Sequence, residues 1–495
     1  MRLIVKDMDI ATGGIQIVLL NAKDARKLDL HHGDRVLVTK GDKKTVAILD
    51  IGESNKATPP GHVGVFEEVL KPLHAKQGDI IRIQLTDKPL SINFIKKKLD
   101  GIELNKSEID QIVEDIVSNR LTEIELSFFI SACYTNKLSM QETTYLAKAI
   151  VNSGERLGLR NGIIVDKHCS GGVPGNRTTM VVVPICVAAG LKMPKTSSRS
   201  ISSPAGTADT MEVLAPVAVP IKRLRHIVRN IGGFIAWGGG VNLATADDKL
   251  IRVRHPLSLD PEGMLLASIL AKKSAVGATH VLIDIPVGPQ TKIKSEKQAN
   301  HLKGEFEKLG HALGMKVHVI LTDGREPIGH GIGPNLEARD VLWLLKNDPR
   351  APMDLRKKSL FMAAEIMKMA GMKRPEETAR VMLDSGLAFK KMQAIIREQG
   401  GDCHINPERI KVGIFSEKVV APKAGLIKSI NSNGISRIAR IAGAPLDKAA
   451  GIYLYYHVGE RVSKGQTLFV VYSDSEEKLQ YAMNEVKKNP PIEIR

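Results

Sequence analysis

A glycine-rich loop at residues 166–179 combines residue types that suit phosphate binding. It reads Asp-Lys-His-Cys-Ser-Gly-Gly-Val-Pro-Gly-Asn-Arg-Thr-Thr and stands between a predicted strand at 162–165 and an apolar helix at 178–190. Free backbone N–H groups at the start of a helix favour an anion, and glycine lets a phosphate approach the backbone. The spacing matches neither the Walker A loop nor the dinucleotide motif GxGxxG. Such a turn can be only a tight connection, but the flanking residues favour a phosphate site: Lys167, His168, Thr178 and Thr179.

A second loop, at residues 196–209, gathers hydroxyl groups around one arginine, Arg199. Serine and threonine hydroxyls donate to phosphate oxygens, and a guanidinium can bind two such oxygens at once. A serine-rich surface turn is the simpler interpretation. However, the loop follows a second predicted strand, and ligands of parallel sheets bind at the carboxyl ends of the strands. We therefore expect both loops at one edge of a parallel sheet.

The surrounding pattern predicts an α/β multidomain protein with four parts. Short strand patterns separated by Gly-Asp turns predict an N-terminal β-rich, barrel-like module at 1–86. Apolar residues at helical spacing, with capping boxes at Thr122 and Ser139, predict a helical lobe at 87–160 and 245–277. Alternating strands and helices at 161–244 and 278–415 predict a large, mostly parallel α/β domain. The short strands of 416–495 predict a barrel-sandwich-like α+β segment.

The composition is that of a globular protein with a basic surface. The 495 residues carry a formal net charge of +17, but the 71 basic residues are dispersed among 54 acidic ones. Because aromatics make up 4% and no nucleic-acid-binding motif occurs, we expect small anions rather than nucleic acid as partners. Four cysteines without a CxxC pair predict neither a disulfide framework nor a zinc site. No apolar run is long enough to cross a membrane, and we expect a cytoplasmic location.

The two loops together resemble a known enzyme family. Asp166-Lys-His-x-Ser-Gly-Gly-Val-x-Gly-Asn and Ser-Arg-x-Ile-x-Ser-x-Ala-Gly-Thr-Ala-Asp209 are similar to motifs of the thymidine/pyrimidine-nucleoside phosphorylase family. The resemblance continues through the segments at 268–273 and 324–329 and covers about residues 90–495. It implies a pentosyltransferase that uses inorganic phosphate as co-substrate, has no cofactor and no metal, and forms a homodimer. The added N-terminal module makes a larger assembly the alternative.

Within the family, the sequence is similar to the archaeal members that act on AMP. The second loop has serines where the nucleoside enzymes are richer in glycine and carry a histidine, and Pro289-Gln-Thr-Lys292 replaces Gly-Ala-Phe. The N-terminal module is a third difference. The resemblance implies phosphorolysis of AMP, and of CMP and UMP, to the free base and ribose 1,5-bisphosphate. Two polyanions must then share one site, which requires several cations. The expected cations are Lys167, Arg199, Lys272 and Lys292.

By position in the motifs, the resemblance assigns two sets of binding residues. The attacking phosphate is expected on Lys167, Thr179, Ser197 and Thr207. AMP is expected on Gly172, Ser198, Arg199, Ser200, Ile201, Ser202, Ser203, Thr207, Ser268, Lys272 and Lys292. Cys169 stands where the nucleoside enzymes have a serine, so the phosphate contact of that serine is not carried over.

The leaving base needs a proton, and two residues are candidates for its donor. Asp260 aligns with the family position assigned to the proton donor, and a carboxyl in that role has to be buried enough to hold a proton at neutral pH. The alternative acid is His168, since the ordinary pKa of imidazole, about 6.5, suits proton transfer. A purely structural interpretation of Asp260 is also open, because an aspartate before a proline commonly opens a helix.

Two other functions remain open from the sequence. The second loop also resembles that of anthranilate phosphoribosyltransferase, which uses phosphoribosyl pyrophosphate and magnesium. That family has an acidic metal-binding pair that this sequence lacks on the corresponding loop, and it has no C-terminal barrel-sandwich. The other function is a basic nucleic-acid-binding or assembly protein, which rests only on the net charge and the N-terminal module.

Overall fold

The computed structural model describes residues 1–159, 162–200, 203–241, 243–254, 256 and 259–495. The strands, numbered along the chain, are β1 (Arg2–Asp7), β2 (Ile17–Asn21), β3 (Arg35–Lys40), β4 (Lys43–Gly52), β5 (His62–Val65), β6 (Ile80–Leu85), β7 (Val165–Cys169), β8 (Met193–Ser197), β9 (Gly233–Trp237), β10 (His280–Val287), β11 (Lys316–Asp323), β12 (Gly331–Ile332), β13 (Phe415–Val420), β14 (Gly425–Ile430), β15 (Gly451–Leu454), β16 (Arg461–Val462), β17 (Thr467–Ser473) and β18 (Ile492–Ile494).

The helices are α1 (Ala22–Lys27), α2 (Glu67–Leu73), α3 (Ser91–Leu99), α4 (Lys106–Val117), α5 (Glu123–Thr135), α6 (Met140–Ser153), α7 (Thr178–Ala188), α8 (Thr207–Met211), α9 (Ile221–Ile231), α10 (Thr245–Arg254), α11 (Glu262–Ala275), α12 (Glu296–Ala312), α13 (Pro334–Leu345), α14 (Met353–Met369), α15 (Pro375–Asp384), α16 (Leu387–Gln399), α17 (Ser432–Ile441) and α18 (Glu476–Lys488). Among the described helices, none combines the length and the apolar character needed to span a membrane. The chain divides into two compact units, Met1–Ser153 with Thr245–Leu265 and Gly154–Ala244 with Leu266–Arg495. The boundaries of the four predicted parts stay predictions.

In the first unit, the predicted barrel is confirmed. Six strands close in the order β1-β5-β2-β4-β3-β6, and β6 pairs with β1. Alternate residues point inward, as Leu3 and Val5 of β1 and Val36 and Val38 of β3 do, each at most 1% exposed. A strand with one buried face requires this two-residue alternation. Closure gives each strand a paired neighbour on both sides, so the barrel has no open edge strand.

Capping boxes begin two helices of the first unit, as predicted. Thr122 accepts a hydrogen bond from the N–H of Glu125 at 3.3 Å, and Glu125 accepts one from the N–H of Thr122 at 2.8 Å. Ser139 and Glu142 make the same two bonds at 3.2 and 2.8 Å. Glu142 also receives the buried ammonium of Lys98 at 2.8 Å, so this cap is part of the helical core.

The second unit contains the predicted parallel sheet. Strands β11, β10 and β7 pair in parallel in that order, and β8 pairs in parallel with β9. A parallel bridge between Ile164 and Lys192, next to β7 and β8, joins the two groups. Helix α7 packs against β8 and β9, and its residues are buried from Thr178 to Val187. A helix that is enclosed on all sides has to be apolar all round, which explains the continuous apolar run of its sequence.

The C-terminal part of the second unit forms antiparallel sheets in the orders β12-β15-β17-β13 and β16-β14-β18. Their common core includes Ile427, Ile438 and Phe469, none of which is exposed. Strand β12 belongs to the α/β part of the chain, yet it pairs with β15. The segment 416–495 is therefore joined to the α/β part through a shared sheet.

Candidate active site

Three parallel strands deliver the loops of the candidate site. β7 ends at Cys169, β8 at Ser197 and β10 at Val287, and a loop follows each strand. The loops after β7 and β8 are the first and second loops of the sequence motifs, and the loop after β10 is called the third loop. Parallel strands end at the same edge of a sheet, so the three loops leave it on the same side. The first and third loops touch at Gly172, because a Cβ placed there would lie 3.0 Å from the backbone nitrogen of Lys292. The φ of +91° at this position also favours glycine.

The ammonium of Lys167 is the buried cation of the first loop. The residue is 1% exposed, and its Nζ donates to the hydroxyl of Thr178 at 2.6 Å and to that of Thr179 at 3.3 Å. No carboxylate of the described residues forms an ion pair with it. Burial lowers the pKa of Lys167, as expected for a cation without a full counter-charge. A bound anion would supply that charge.

Arg177 ties the first loop to the second, and the motifs did not assign it a role. Its Nε donates to the buried carboxylate of Glu337. Its Nη1 donates to Thr207 Oγ1 at 3.3 Å and its Nη2 to the carbonyl oxygen of Ala205 at 2.7 Å. Burial lowers the pKa of Arg177 to about 10, so the guanidinium remains charged at neutral pH. The arginine was visible in the first motif, but its carboxylate partner, 160 positions away, was not.

Asp209 organises the second loop from the first turn of α8. Its carboxylate accepts hydrogen bonds from the N–H of Ser200 at 2.7 Å and from that of Gly206 at 2.8 Å. A Cβ on Gly206 would lie 2.6 Å from the nitrogen of Ser200, so the loop folds tightly over this glycine. Ser203 Oγ donates to Ser200 Oγ at 3.2 Å. The backbone at Ser200 and Gly206 is therefore held by Asp209.

Arg199 is held by acidic and aromatic partners. Its Nη1 donates to Glu212 at 2.8 Å and to Asp209 at 3.3 Å, and its Nη2 donates to Glu212 at 2.5 Å. Its guanidinium lies over the ring of Trp237, 4.9 Å from the centroid. Hydrogen bonding to Glu212 raises the pKa of Arg199. Any contact between this arginine and a substrate phosphate has to use its remaining N–H groups.

A second group of buried charges surrounds Asp166. Its Oδ2 lies 2.8 Å from Lys273 Nζ and its Oδ1 lies 3.7 Å from Lys195 Nζ. All three residues are at most 4% exposed. Burial, followed by the charge of Lys273, lowers the pKa of Lys195 well below its ordinary value. One buried carboxylate thus faces two buried lysines.

The ring of His168 lies in the field of these cations. Burial is the largest cause that lowers the pKa of His168 well below 6.5. Four lysines lower it further: Lys273, Lys195, Lys272 and Lys167. A histidine with such a pKa is neutral at pH 7 and has no imidazolium proton to give. The electrostatics therefore argue against His168 as the acid.

Cys169 occupies the position at which the related motif has a serine. Its Sγ accepts hydrogen bonds from the N–H of Gly171 at 3.4 Å and from Asn176 Nδ2 at 3.5 Å. Burial raises the pKa of its thiol to about 11, so the group is protonated at neutral pH. A neutral thiol is a weak hydrogen-bond donor. Cys169 thus contributes to the shape of the loop.

The other predicted AMP-binding residues lie on separate segments. Ser268 is buried on α11, and Lys272, one turn later, is partly exposed. Lys292 is exposed in the third loop, whereas Ser198 is exposed directly after β8. Two predicted residues lie outside the described part of the chain, Ile201 and Ser202. The contacts of all these residues with a substrate stay predictions.

Asp260, the expected proton donor, belongs to the first unit. Its side chain is 40% exposed, and its Oδ1 lies 3.7 Å from Nε of the buried Arg254. The burial expected for a carboxyl that holds its proton is therefore not found in this structure. The role of Asp260 stays a prediction.

Family models match three parts of the chain. Residues 92–154 match the helical bundle domain of a glycosyl transferase family, residues 161–236 match the a/b domain of the same family, and residues 426–493 match the pyrimidine nucleoside phosphorylase C-terminal domain. A protein of Methanococcoides burtonii described as AMP phosphorylase is 40% identical over 495 residues, which is 99% of this chain and 97% of that protein. The chain belongs to the thymidine/pyrimidine-nucleoside phosphorylase family. It is accordingly an enzyme of the pentosyltransferase class.

Relatives with a different description are also similar to this phosphorylase. A protein of Legionella pneumophila (strain Corby) described as putative thymidine phosphorylase is 45% identical over 464 residues, 93% of this chain and 88% of that protein. The part of the chain outside this match is shorter than the N-terminal barrel, so that relative shares at least part of it. The N-terminal module therefore does not by itself separate relatives described as AMP phosphorylases from those described as thymidine phosphorylases.

A solved structure shows the relation in fold to the phosphoribosyltransferases. Anthranilate phosphoribosyltransferase from Thermus thermophilus matches with a TM-score of 0.52 at 18% identity, covering 62% of this chain and 98% of that one. At this identity the likeness shows the fold alone. The described residues of the phosphorylase contain no group of three or more His, Cys, Asp or Glu side chains that could hold a metal ion.

Proposed function

We propose that this phosphorylase cleaves nucleoside 5′-monophosphates, with AMP as its main substrate and CMP and UMP as further ones. Inorganic phosphate attacks, and the products are the free base and ribose 1,5-bisphosphate. The observation that carries the proposal is Lys167, a buried ammonium bonded to two threonine hydroxyls and, among the described residues, to no carboxylate. Such a cation is compensated only when an anion is bound.

In the proposed reaction, the bond between C1′ and the base nitrogen breaks, and a bond between C1′ and a phosphate oxygen forms. Positive charge develops on the sugar as the base leaves, and the bound phosphate is positioned to attack it. The phosphate is assigned to Lys167, Thr179, Ser197 and Thr207. Asp260 is assigned the proton that the leaving base requires, because His168 is neutral at the working pH.

The preference for a nucleotide over a nucleoside rests on the additional donors near the second loop. The substrate is assigned to Gly172, Ser198, Arg199, Ser200, Ile201, Ser202, Ser203, Thr207, Ser268, Lys272 and Lys292. A nucleoside carries no charge at its 5′ position, so it offers no phosphate oxygens to Lys292 or to the hydroxyl groups of the second loop. The match over nearly the full length of a protein described as AMP phosphorylase supports the same choice.

Release of base from AMP, CMP, UMP, adenosine and thymidine, each with inorganic phosphate, tests the proposal. We expect the highest kcat/KM for AMP and no release of base without phosphate. A higher kcat/KM for thymidine than for AMP would refute the nucleotide preference and favour the description of the 45% identical relative. A parallel assay with anthranilate, phosphoribosyl pyrophosphate and Mg²⁺ tests the transferase alternative, which predicts product in that assay and none from AMP.

We further propose a cytoplasmic homodimer, with a larger assembly through the N-terminal barrel as the alternative. Light scattering of the intact chain distinguishes a mass of two chains from a larger one. No nucleic-acid binding is expected at physiological salt. Salt-dependent binding of nucleic acid without AMP turnover would instead support the binding-protein alternative.

A further inference from the structure

A segment of the C-terminal part, residues 443–450, is held in place by main-chain hydrogen bonds. The carbonyl oxygen of Lys448 accepts a hydrogen bond from the N–H of Asn335 at 3.0 Å, and that of Ala449 accepts one from the N–H of Gly413 at 2.9 Å. These main-chain bonds locate the segment without help from the Lys448 side chain. A substitution of that side chain should therefore leave the segment in place.

The side chain of Lys448 reaches a carboxylate that already holds Arg199. Lys448 Nζ lies 3.0 Å from Glu212 Oε2, and both carboxylate oxygens of Glu212 accept hydrogen bonds from the Arg199 guanidinium. Hydrogen bonds from Arg199 and then from Lys448 lower the pKa of Glu212 to about 2, so this carboxylate is charged throughout the working pH range. The Glu212 carboxylate thus pairs with Lys448 of the C-terminal part and with Arg199 of the second loop.

The charges of Arg199, Glu212 and Asp209 balance only when Lys448 is included. Arg199 alone faces the carboxylates of Glu212 and Asp209, which would leave the group with one net negative charge. Lys448 brings the sum to zero. A loop that carries a net negative charge repels a phosphate dianion, whereas a neutral one with free donors accepts it. Among the described residues, the bonds of Arg199 use Nη1 and one N–H of Nη2, which leaves its Nε–H and a second Nη2–H for a ligand.

A second, independent bond links the C-terminal part to the third loop. The N–H of Asn433, in the first turn of α17, donates to Gln290 Oε1 at 3.1 Å. Gln290 stands beside Lys292, one of the residues assigned to the substrate. The C-terminal part thus contacts the third loop directly at Gln290 and reaches Arg199 of the second loop through Glu212.

We propose that Lys448 is a positioning residue of the second loop, which neutralises Glu212 and thereby favours binding of a substrate's 5′-phosphate by Arg199 and its neighbours. The inference rests on the proposed activity towards nucleoside 5′-monophosphates and names a determinant of that specificity. Lys448 does not contact the reacting atoms in this role. Its removal should affect the affinity for AMP and leave the chemical step intact.

Steady-state kinetics of Lys448→Met, with AMP and inorganic phosphate varied in turn, test the proposal. KM for AMP should rise about fivefold, roughly the effect of one unit charge on a dianion several ångströms away under solvent-like screening. kcat and KM for phosphate should change by less than about twofold. Lys428→Met is the matched control, because Lys428 is a surface lysine of the same C-terminal part that pairs with Glu493 at 2.7 Å. It should behave as wild type.

The double variant Lys448→Met, Glu212→Gln separates an electrostatic role from a structural one. It removes one positive and one negative charge, so the sum around Arg199 returns to zero, and KM for AMP should return to within about twofold of wild type. An unchanged KM for AMP in Lys448→Met, or a rise that Glu212→Gln does not reverse, would overturn the proposal. Failure of the proposed function can be told apart from failure of this inference, because the wild-type protein itself would then release no base from AMP. That result would overturn the inference as well.

Discussion

Replacing Lys167 by methionine should stabilise the protein in the absence of phosphate and abolish its response to phosphate. Methionine keeps much of the length of the lysine side chain but removes the ammonium. Burial lowers the pKa of Lys167 in the folded protein below its value in the unfolded chain. The fold then favours the neutral form, so the charged lysine destabilises the protein below its folded pKa. This cost disappears only as the pH rises above the unfolded pKa.

The magnitude follows from the partners of the lysine. The effective penalty of a buried ion is several kcal/mol, and two hydrogen bonds to Thr178 and Thr179 offset about 1 kcal/mol each. The expected gain on removing the ammonium is about 1 to 3 kcal/mol. Lys273→Met is the matched control, since Lys273 pairs with the buried Asp166 at 2.8 Å. Breaking that pair should cost about 3 kcal/mol, at the low end for buried pairs because Lys195 remains 3.7 Å from the same carboxylate.

Thermal unfolding at pH 7, in a buffer free of phosphate and sulfate, measures both effects. For a unit larger than 250 residues, 1 kcal/mol corresponds to about 1 to 2 °C, so Lys167→Met should melt above wild type and Lys273→Met below it. Phosphate at 100 times its Kd should add about 2.7 kcal/mol to the wild type and nothing to Lys167→Met. Melting of Lys167→Met several degrees below wild type would show that the ammonium is compensated in the fold, which would refute the reasoning.

The remaining predictions concern three acidic or basic groups. Asp260→Asn should lower kcat about 100-fold or more with little change in KM for AMP, and near-normal turnover would exclude Asp260 as the proton donor. His168→Asn should leave the pH dependence of kcat between about pH 5.5 and 8 unchanged, because the pKa of His168 lies well below that of free imidazole. If the variant instead loses an ionisation in this pH range, His168 becomes the acid again. Burial raises the pKa of Asp340 from 3.8 to about 7, so the wild type should lose stability as the pH rises through this window. Asp340→Asn can still accept hydrogen bonds from the N–H groups of His330 and Gly331. Its free energy of unfolding should therefore exceed that of wild type by at most ~4 kcal/mol at pH 8 and be similar to it at pH 4. Equal stability differences at both pH values would contradict that pKa.

Much of the fold followed from short-range patterns. The capping boxes at Thr122 and Ser139, the alternation in β1 and the apolar run of α7 depend on residues within a few positions of one another. Such patterns report the local geometry of a helix or strand, which is the same in any fold. The shared sheet between β12 and β15 could not be predicted in this way, because the pairing joins segments more than 100 positions apart.

The sequence by itself determined the family and the two loops, because each motif is one contiguous stretch between a predicted strand and a predicted helix. The tertiary structure decided which cations are compensated. Lys273 meets Asp166, Arg177 meets Glu337 and Lys448 meets Glu212, whereas Lys167 meets only hydroxyls among the described residues. No local pattern distinguishes these four residues among the 71 lysines and arginines of the chain. Their charges depend on burial and on partners that only folding brings within reach, and among the described residues no carboxylate pairs with the ammonium of Lys167.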